Sequence, residues 1–129
     1  AVLDHGTSET AYPLLPTEII PRSARFFDYK EKYSSGGAIE VTPAKLNEAW
    51  MREARRAALR AHEALGCRGM SRTDMILGRD GTLYVLEVNT IPGLTSRSLL
   101  PQGAAAMGIS FPDLLDRVIN AGFMAQYAY

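Results

Sequence analysis

The chain has 129 residues, 47% of them hydrophobic and 22% charged, which suits one compact domain with its own core and excludes a disordered tail. Lysine plus arginine and aspartate plus glutamate number 14 each, so no net charge attracts the chain to nucleic acid or to an anionic membrane. The single cysteine, Cys67, excludes an internal disulfide framework, and no apolar stretch approaches the ~20 residues of a membrane span, so we expect a cytoplasmic protein.

The first third of the sequence predicts short strands and one long loop. It opens on three apolar residues without an initiator methionine, and we expect the chain to be part of a longer protein. A short strand is predicted over 14–20, and its flanking prolines restrict it to a sheet edge. Residues 22–37 fit neither a helical nor a strand period, and a loop of this length inside a compact domain tends to be functional. Residues 38–41 are predicted to return to the sheet as another strand.

One long helix is predicted in the middle of the chain. Thr42 is interpreted as its N-cap, Pro43 as its first-turn residue and Gly66 as its C-terminal stop. Apolar residues recur at helical spacing on one side: Leu46, Trp50, Ala54, Ala57, Ala61 and Leu65. Arginines interleaved with glutamates cover much of the rest, which indicates a solvated face and argues against nucleic-acid binding. His62 has no metal-ligand partner at obvious spacing except Glu63 and is predicted to be structural or exposed.

Two shorter helices are predicted to close the chain. The first covers 98–107, with Gly108 behind it. Ser110 and Asp113 have the spacing of a capping box, and the second helix runs from there to Gly122. Strands, a long helix, a hairpin and two closing helices together predict an α+β domain in which helices pack on a mostly antiparallel sheet.

Between the helices, the pattern over 69–89 predicts a β-hairpin. Two stretches rich in β-branched and aromatic residues flank the turn signal Gly-Arg-Asp-Gly. If Gly78 faces Gly81 across a two-residue turn, position 74 lies opposite 85 and position 72 opposite 87, and opposed residues point to one face. That face would carry four polar side chains, namely Arg72, Asp74, Glu87 and Asn89.

Three of these side chains suit a magnesium site. Mg²⁺ takes hard oxygen ligands at ~2.0–2.1 Å and shares them between one or two carboxylates, water and substrate phosphates. Asp74, Glu87 and Asn89 supply two carboxylates and an amide oxygen. Two ions ~3.5–4 Å apart could share Glu87 and clamp a phosphoryl group, and no paired histidines or thiols favour zinc instead. The alternative is a polar strand face open to water and held by a cross-strand pair between Arg72 and Glu87.

The segment after the hairpin favours a site over that alternative. Residues 89–98 leave the strand as a glycine-containing loop and run into the start of a helix, where backbone N–H groups bind anions. A substrate carboxylate there could accept a hydrogen bond from Ser98. Gly93 allows the backbone to approach a developing oxyanion, and Arg72 offers a cationic fork for the same charge.

Three motifs in this order of the chain resemble D-alanine–D-alanine ligase, an ATP-grasp enzyme. They are Phe-Asp-Tyr-Lys-Glu-Lys-Tyr at 27–33, Gly-Cys-Arg-Gly-Met-Ser-Arg-Thr-Asp at 66–74 and Leu-Glu-Val-Asn-Thr-Ile-Pro-Gly-Leu-Thr-Ser at 86–96. The resemblance covers nearly the whole chain and corresponds to the C-terminal domain of that family. It implies a single ATP-grasp C-terminal domain over 1–129, with no counterpart of the family's N-terminal and central domains.

The resemblance also implies roles for the residues of the hairpin and the following loop. Asp74, Glu87 and Asn89 would hold two magnesium ions, or manganese in their place, on ATP. Arg72 and the backbone amide of Gly93 would stabilise the tetrahedral intermediate.

Further roles are implied on either side of the hairpin. Ser98 with Leu99 would bind the carboxylate of the second D-alanine. The loop over 26–37 resembles the mobile loop that closes over the nucleotide, in which Phe26 would contact the nucleotide and Lys32 the transferred phosphate. Tyr33 would help to hold this lid shut, and a tyrosine there favours an amine acceptor.

The implied reaction starts with attack of one D-alanine carboxylate on the γ-phosphate of ATP, and the amine of a second D-alanine then displaces phosphate from the acyl phosphate. The dipeptide would enter peptidoglycan precursor synthesis and cell-wall formation. We expect the isolated chain to be inactive and the full-length enzyme to be a homodimer. Two alternatives stay open: an ATP-grasp carboxylate–amine ligase for another amino acid, and a non-catalytic fragment.

Overall fold

The computed structural model describes residues 1–4, 11–21 and 38–126. In chain order the elements of these residues are β1 (Val2–Leu3), β2 (Tyr12–Pro13), β3 (Glu18–Pro21), β4 (Ala38–Val41), α1 (Glu48–Ala64), β5 (Met70–Leu77), β6 (Leu83–Asn89), α2 (Leu99–Ala105) and α3 (Phe111–Gln126). The predicted α+β class is confirmed. None of the helices in this part of the chain is long and apolar enough to cross a membrane.

The strands form two antiparallel sheets. The larger sheet has the order β2-β1-β5-β6, and β3 pairs with β4 in a separate two-stranded sheet. The predicted strand over 38–41 is confirmed as β4, whereas the strand predicted over 14–20 is confirmed only in its last part, where β3 covers Glu18–Pro21. Residues 14–17 connect β2 to β3 instead. Pro13 and Pro16 lack the N–H that a continuous ladder requires, and the side chain of Leu14 is buried in the core.

Helix α1 begins later than predicted. Asn47 is its N-cap, because the Asn47 side chain accepts the backbone N–H of Trp50 at 2.9 Å. Thr42 does not cap the helix: its hydroxyl bonds the Thr17 hydroxyl at 2.5 Å and the Gln102 side chain at 3.0 Å. A capping hydroxyl can be drawn away by tertiary partners, and only the fold decides which candidate N-cap is used.

The end of α1 is confirmed at the predicted glycine. The N–H of Gly66 donates to the carbonyl of Glu63, and the N–H of Cys67 donates to the carbonyl of His62, both at 3.0 Å. This pair of bonds is the Schellman arrangement that satisfies the last carbonyl groups of a helix. The turn then delivers the chain directly into β5.

The buried stripe of α1 is rotated from the predicted one. Its buried residues are Ala54, Ala58 and His62, whereas Leu65 is 64% exposed. Most of the arginine-rich side is solvated as predicted, but Arg55 reaches across to the sheet and donates to the carbonyl of Pro13 at 2.9 Å. The helix therefore packs on the sheet through small side chains and one histidine.

The two closing helices cover the other end of the core. The predicted cap of α3 is confirmed, because the Ser110 hydroxyl accepts the N–H of Asp113 at 3.3 Å; the Asp113 carboxylate accepts this hydroxyl at 2.6 Å, where a capping box would have it accept the backbone N–H of Ser110. The helix runs past Gly122 to Gln126, since one glycine costs a helix only about 1 kcal/mol. The core cluster beneath consists of Leu3, Leu14, Leu100, Ala104 and Leu114.

Candidate functional site

The β5–β6 hairpin is confirmed, but its turn is longer than predicted. The N–H of Gly78 donates to the carbonyl of Thr82 at 2.8 Å, which encloses three residues. Gly81 has a φ of 77°, a left-handed conformation that glycine adopts readily and that three-residue hairpin loops require. Asp80 accepts the backbone N–H and the hydroxyl of Thr82, and these bonds hold the pKa of Asp80 below its ordinary value.

A β-bulge in β6 moves the register by one further residue. Met75 lies opposite Val85, whereas Asp74 lies opposite Glu87. Leu86 is therefore the extra residue between them. The predicted pairing of position 74 with 85 is wrong, because neither the third loop residue nor the bulge was anticipated.

The two single-residue shifts cancel in their effect on the strand faces. Side chains alternate between the faces of a strand, so one shift alone would place Glu87 opposite Thr73 and turn it away from Asp74. The bulge restores the common face, with Arg72 opposite Asn89 and Asp74 opposite Glu87. Directly opposed side chains have Cβ atoms ~4.5–5.5 Å apart, so the four polar side chains form a closer group than the predicted register allows.

Arg72 and Asp74 form a two-pronged ion pair within β5. Nε of Arg72 donates to Oδ1 of Asp74 at 2.7 Å, and Nη2 donates to Oδ2 at 3.0 Å. The two side chains are 22% and 24% exposed. In the observed register Arg72 lies opposite Asn89 and not opposite Glu87.

The opposite strand contributes Glu87, which is exposed, and Asn89, which is half-buried. Oδ1 of Asn89 accepts the N–H of Ile91 at 3.0 Å, which orients the amide at the end of β6. Across the described ranges, no three His, Cys, Asp or Glu side chains group into a possible metal site. The donor set of Asp74, Glu87 and Asn89 fits an ion that shares its ligands with phosphates and water, as Mg²⁺ does.

The loop after β6 brings Gly93 against the start of α2. A Cβ atom at Gly93 would lie 2.8 Å from Oγ of Ser98, so any larger residue would displace that side chain. The Ser98 hydroxyl accepts the N–H of Thr95 at 3.2 Å and bonds the Thr95 hydroxyl at 2.9 Å. Ser98 is the N-cap residue of α2, yet its side chain makes no capping bond, and Leu99 is the first helical residue.

The predicted site residues fall into two groups in the structure. Those on the hairpin and the following loop are described, and the structure brings Arg72, Asp74, Glu87 and Asn89 together on paired strands. Phe26, Lys32 and Tyr33 lie outside the described residues. Their predicted contacts with nucleotide and phosphate stay predictions.

One polar cluster was missed by the sequence reasoning. His62 is 2% exposed and lies between Asp4 and Ser71, which are 3% and 0% exposed. The signal was present in the sequence, since His62 follows Ala54 and Ala58 at four-residue intervals and therefore shares their buried face. No spacing rule could identify Asp4, which is 58 residues from His62.

Comparison with known proteins gives a consistent result. The family model described as "D-ala D-ala ligase C-terminus" matches residues 1–120. The chain is 54% identical over 112 residues to the D-alanine--D-alanine ligase of Oleidesulfovibrio alaskensis, covering 87% of this chain and 36% of that protein. It is 51% identical over 113 residues to the enzyme of the same name from Desulfotalea psychrophila, covering 87% and 34%. The chain thus spans about a third of the length of these relatives.

Solved structures agree with the sequence relatives. The D-alanine-D-alanine ligase from Coxiella burnetii superposes with a TM-score of 0.75 at 29% identity, covering 98% of this chain and 32% of that one. The Bacillus anthracis ligase complexed with ATP gives 0.72 at 34% identity, covering 98% and 39%. The VanG D-Ala:D-Ser ligase from Enterococcus faecalis gives 0.71 at 35% identity, covering 93% and 34%. This chain belongs to the family of D-alanine–D-alanine ligase C-terminal domains.

Proposed function

We propose that this chain supplies the metal-binding and acceptor-binding part of an ATP-dependent ligase that joins two D-alanines through an acyl phosphate. The observation that carries the proposal is the facing arrangement of Asp74 with Glu87 and of Arg72 with Asn89 on β5 and β6. Carboxylates, an amide and a guanidinium on one polar strand face are the groups that a phosphorylated substrate requires.

In this proposal Asp74, Glu87 and Asn89 hold two magnesium ions, with manganese as a substitute. Their two carboxylates and one amide oxygen leave room for phosphate and water ligands. When bound, the ions neutralise the charge that develops on the transferred phosphoryl group. The ion pair with Arg72 holds both oxygens of Asp74 in a defined orientation, so the carboxylate is ordered before a metal arrives.

Arg72 and Gly93 are proposed to stabilise the tetrahedral intermediate that forms when the amine attacks the acyl phosphate. A guanidinium has five N–H donors in a planar fork, and two of them reach Asp74 in this structure. The Gly93 amide lies in a loop packed against Ser98, whose hydroxyl a Cβ atom at Gly93 would displace. Donors held in this way lower the barrier because they need no reorganisation during the reaction.

Ser98 and Leu99 are proposed to bind the carboxylate of the second D-alanine. The Ser98 hydroxyl makes local bonds to Thr95 and does not cap α2, so it can exchange a neutral partner for a charged one without uncapping the helix. Phe26, Lys32 and Tyr33 complete the proposal as nucleotide, phosphate and lid residues. Because the reaction consumes ATP and provides a peptidoglycan precursor, the proposal retains a cytoplasmic location.

The proposal is tested with a chimera in which this chain replaces the matching region of the Oleidesulfovibrio alaskensis ligase, its 54% identical relative. We expect the chimera to release phosphate from ATP and to form D-alanyl-D-alanine when D-alanine and Mg²⁺ are present. Asp74→Asn should abolish this activity, whereas Asp116→Asn, on the exposed side of α3, should not. We expect the isolated chain to be inactive and the full-length assembly to be a homodimer.

Three results would each contradict a part of the proposal. A folded chimera that releases no phosphate with any amino acid would exclude a ligase role for the chain, and would favour the non-catalytic alternative. Undiminished activity in Asp74→Asn would exclude the metal assignment. Robust turnover by the isolated chain would refute the expectation that further domains are required.

A second candidate is a carboxylate–amine ligase with a different acceptor. The observation that favours it is the similarity to VanG, which is named as a D-Ala:D-Ser ligase and resembles this chain as closely as the Bacillus anthracis enzyme does. The same chimera separates the two candidates when D-serine and D-alanine compete as acceptors. We expect D-alanine to be preferred, and a preference for D-serine would support the second candidate.

A further inference from the structure

Three buried polar residues lie on the side of β5 that faces α1. Asp4 follows β1, His62 is in the last turns of α1, and Ser71 is in β5; their exposed fractions are 3%, 2% and 0%. Nε2 of His62 lies 3.2 Å from Oδ2 of Asp4, and Nδ1 lies 2.8 Å from Oγ of Ser71. One side chain thus links three elements that are separate in sequence.

The carboxylate of Asp4 also fixes the entry to β5. Its Oδ2 accepts the N–H of Gly69 at 2.8 Å, and the N–H of Asp4 donates to the carbonyl of Gly69 at 2.9 Å. An ionised carboxylate only accepts hydrogen bonds, so Nε2 of His62 is the donor towards Asp4. In neutral His62, Nδ1 then accepts the proton of the Ser71 hydroxyl, and all three side chains have partners.

These residue types also make up the triad of serine hydrolases, but that role is excluded here. A nucleophilic hydroxyl must reach a substrate carbonyl, and Ser71 is 0% exposed. The orienting function of such a network needs no access to solvent. The element that this network can orient is β5, which contains Ser71.

Ser71 immediately precedes Arg72 in β5, and the two side chains point to opposite faces of the strand. On the α1 side, Ser71 is fixed by His62 and lies opposite Val2 of β1. On the other side, Arg72 reaches Asp74 and lies opposite Asn89. A displacement of β5 towards or away from α1 would therefore move Arg72 and Asp74 against the residues of β6.

We propose that Asp4, His62 and Ser71 form a positioning network that holds β5 at the depth and orientation in which Arg72 and Asp74 meet Glu87 and Asn89. The inference rests on the proposed ligase function. It assigns a catalytic consequence to residues that cannot touch any substrate. Misplacement of a reacting group by about 1 Å can cost about a hundredfold in rate, so a small movement of β5 is sufficient.

The first test uses NMR to follow the Nε–H resonance of Arg72 in this protein, without the chimera. The Nε–H of Arg72 that donates to Asp74 should give a resolved, slowly exchanging resonance. Ser71→Ala should shift this resonance and accelerate its exchange with water at least tenfold. The control is Ala58→Gly, one turn before His62 on the same buried face of α1, which weakens the helix but leaves the network intact and should leave the resonance unchanged.

The second test measures kinetics in the chimera per folded molecule, well below the melting temperature of each variant. We expect Ser71→Ala to lower kcat roughly tenfold to a hundredfold while the KM for ATP changes less than threefold. Asp4→Asn retains an acceptor oxygen for both His62 and Gly69, so this variant should keep most of the parental kcat. Ala58→Gly should have the parental kcat.

The outcomes separate this inference from the function on which it rests. If the parental chimera is active and Ser71→Ala matches Ala58→Gly in kcat and in the Arg72 resonance, the network is only structural and the inference is overturned. If the parental chimera is folded but inactive, the proposed function fails and the catalytic role of the network fails with it. A loss of kcat in Ser71→Ala alone, with an altered Arg72 resonance, supports the positioning role.

Discussion

The two faces of β5 hold polar side chains in opposite conditions. On the face that β5 shares with the site residues of β6, Arg72 and Asp74 are 22% and 24% exposed and bond to each other. On the side that packs on α1, Ser71 is fully buried and bonds to His62, a residue of another element. The partly exposed pair can take new ligands, whereas the buried residues make their hydrogen bonds to other protein groups and not to water.

The contrast follows from what surrounds each face. An unpaired buried polar group costs about 1–3 kcal/mol, so the bond between Ser71 and His62 restricts both side chains on the α1 side to one arrangement. The exposed face has no such requirement and can retain two carboxylates near each other. Strand β5 therefore joins a face with fixed partners to a face whose side chains can take new ligands, and substitutions can test the two faces separately.

The largest effect is expected on the exposed face, from Glu87→Ala. Loss of this carboxylate removes a proposed metal ligand, and several kcal/mol of transition-state stabilisation correspond to roughly a thousandfold in rate. D-alanine-dependent phosphate release by the chimera measures the effect. Glu48→Ala is the matched control, since Glu48 is a solvated residue of α1 that pairs with the exposed Arg52. Equal activity in both variants would remove Glu87 from the site.

Arg72→Lys should have the next largest effect. Lysine retains the charge but cannot make the two parallel bonds to Asp74, and the complete loss of an oriented donor to an oxyanion costs about a hundredfold to a thousandfold in kcat. We expect kcat of the chimera to fall roughly tenfold to a hundredfold. Arg52→Lys, in an exposed pair with Glu48, should leave kcat unchanged. A parental kcat in Arg72→Lys would show that charge alone is sufficient.

Gly93→Ala should have a smaller effect that is restricted to the acceptor. The new Cβ would lie 2.8 Å from Oγ of Ser98, so the hydroxyl must move from its place beside Thr95. We expect the KM for the second D-alanine to rise roughly tenfold, since a good charged hydrogen bond contributes about 1.5–3 kcal/mol. Gly122→Ala, where a Cβ meets nothing within 4 Å, should leave this KM unchanged. An unchanged KM in Gly93→Ala would argue against Ser98 as an acceptor ligand.

The smallest effect is expected from a pair of substitutions in alternate positions of β5. Oγ1 of Thr73 is buried and, within the described part of the chain, has no hydrogen-bond partner. Thr73→Val should therefore leave the free energy of unfolding unchanged or raise it by up to about 1 kcal/mol, because no bond is lost. Ser71→Ala should lower it by about 1–3 kcal/mol, since Nδ1 of His62 loses its partner. Urea denaturation of the chain measures both, and equal losses would contradict the contrast between them.

Local sequence signals were sufficient wherever one segment satisfies its own backbone. Ser110 and Asp113 predicted the start of α3, and Gly66 predicted the end of α1, because cap residues bond groups within three or four positions. The hairpin over 69–89 was also predicted, since a turn signal between β-branched stretches is local. The resemblance to a ligase family was likewise present in short contiguous motifs.

Competition between local and distant partners explains the errors. Thr42 has the chemistry of an N-cap, but the fold engages its hydroxyl with Thr17 and Gln102, and Asn47 caps α1 instead. The register of the hairpin depended on Gly81 and on the bulge at Leu86. A bulge depends on the packing and twist of the whole sheet, so the sequence of β6 alone does not predict it.

The amino-acid order alone was enough to place Arg72, Asp74, Glu87 and Asn89 on one hairpin, because strand alternation is a property of the local backbone. Which of them face each other was decided by the tertiary structure, since a single-residue shift costs little locally and is selected by packing on both sides of the strand. The junction of Asp4, His62 and Ser71 also belongs to the tertiary structure. Its hydrogen bonds span 9 and 58 residues, and burial makes them obligatory only after α1 has docked on the sheet.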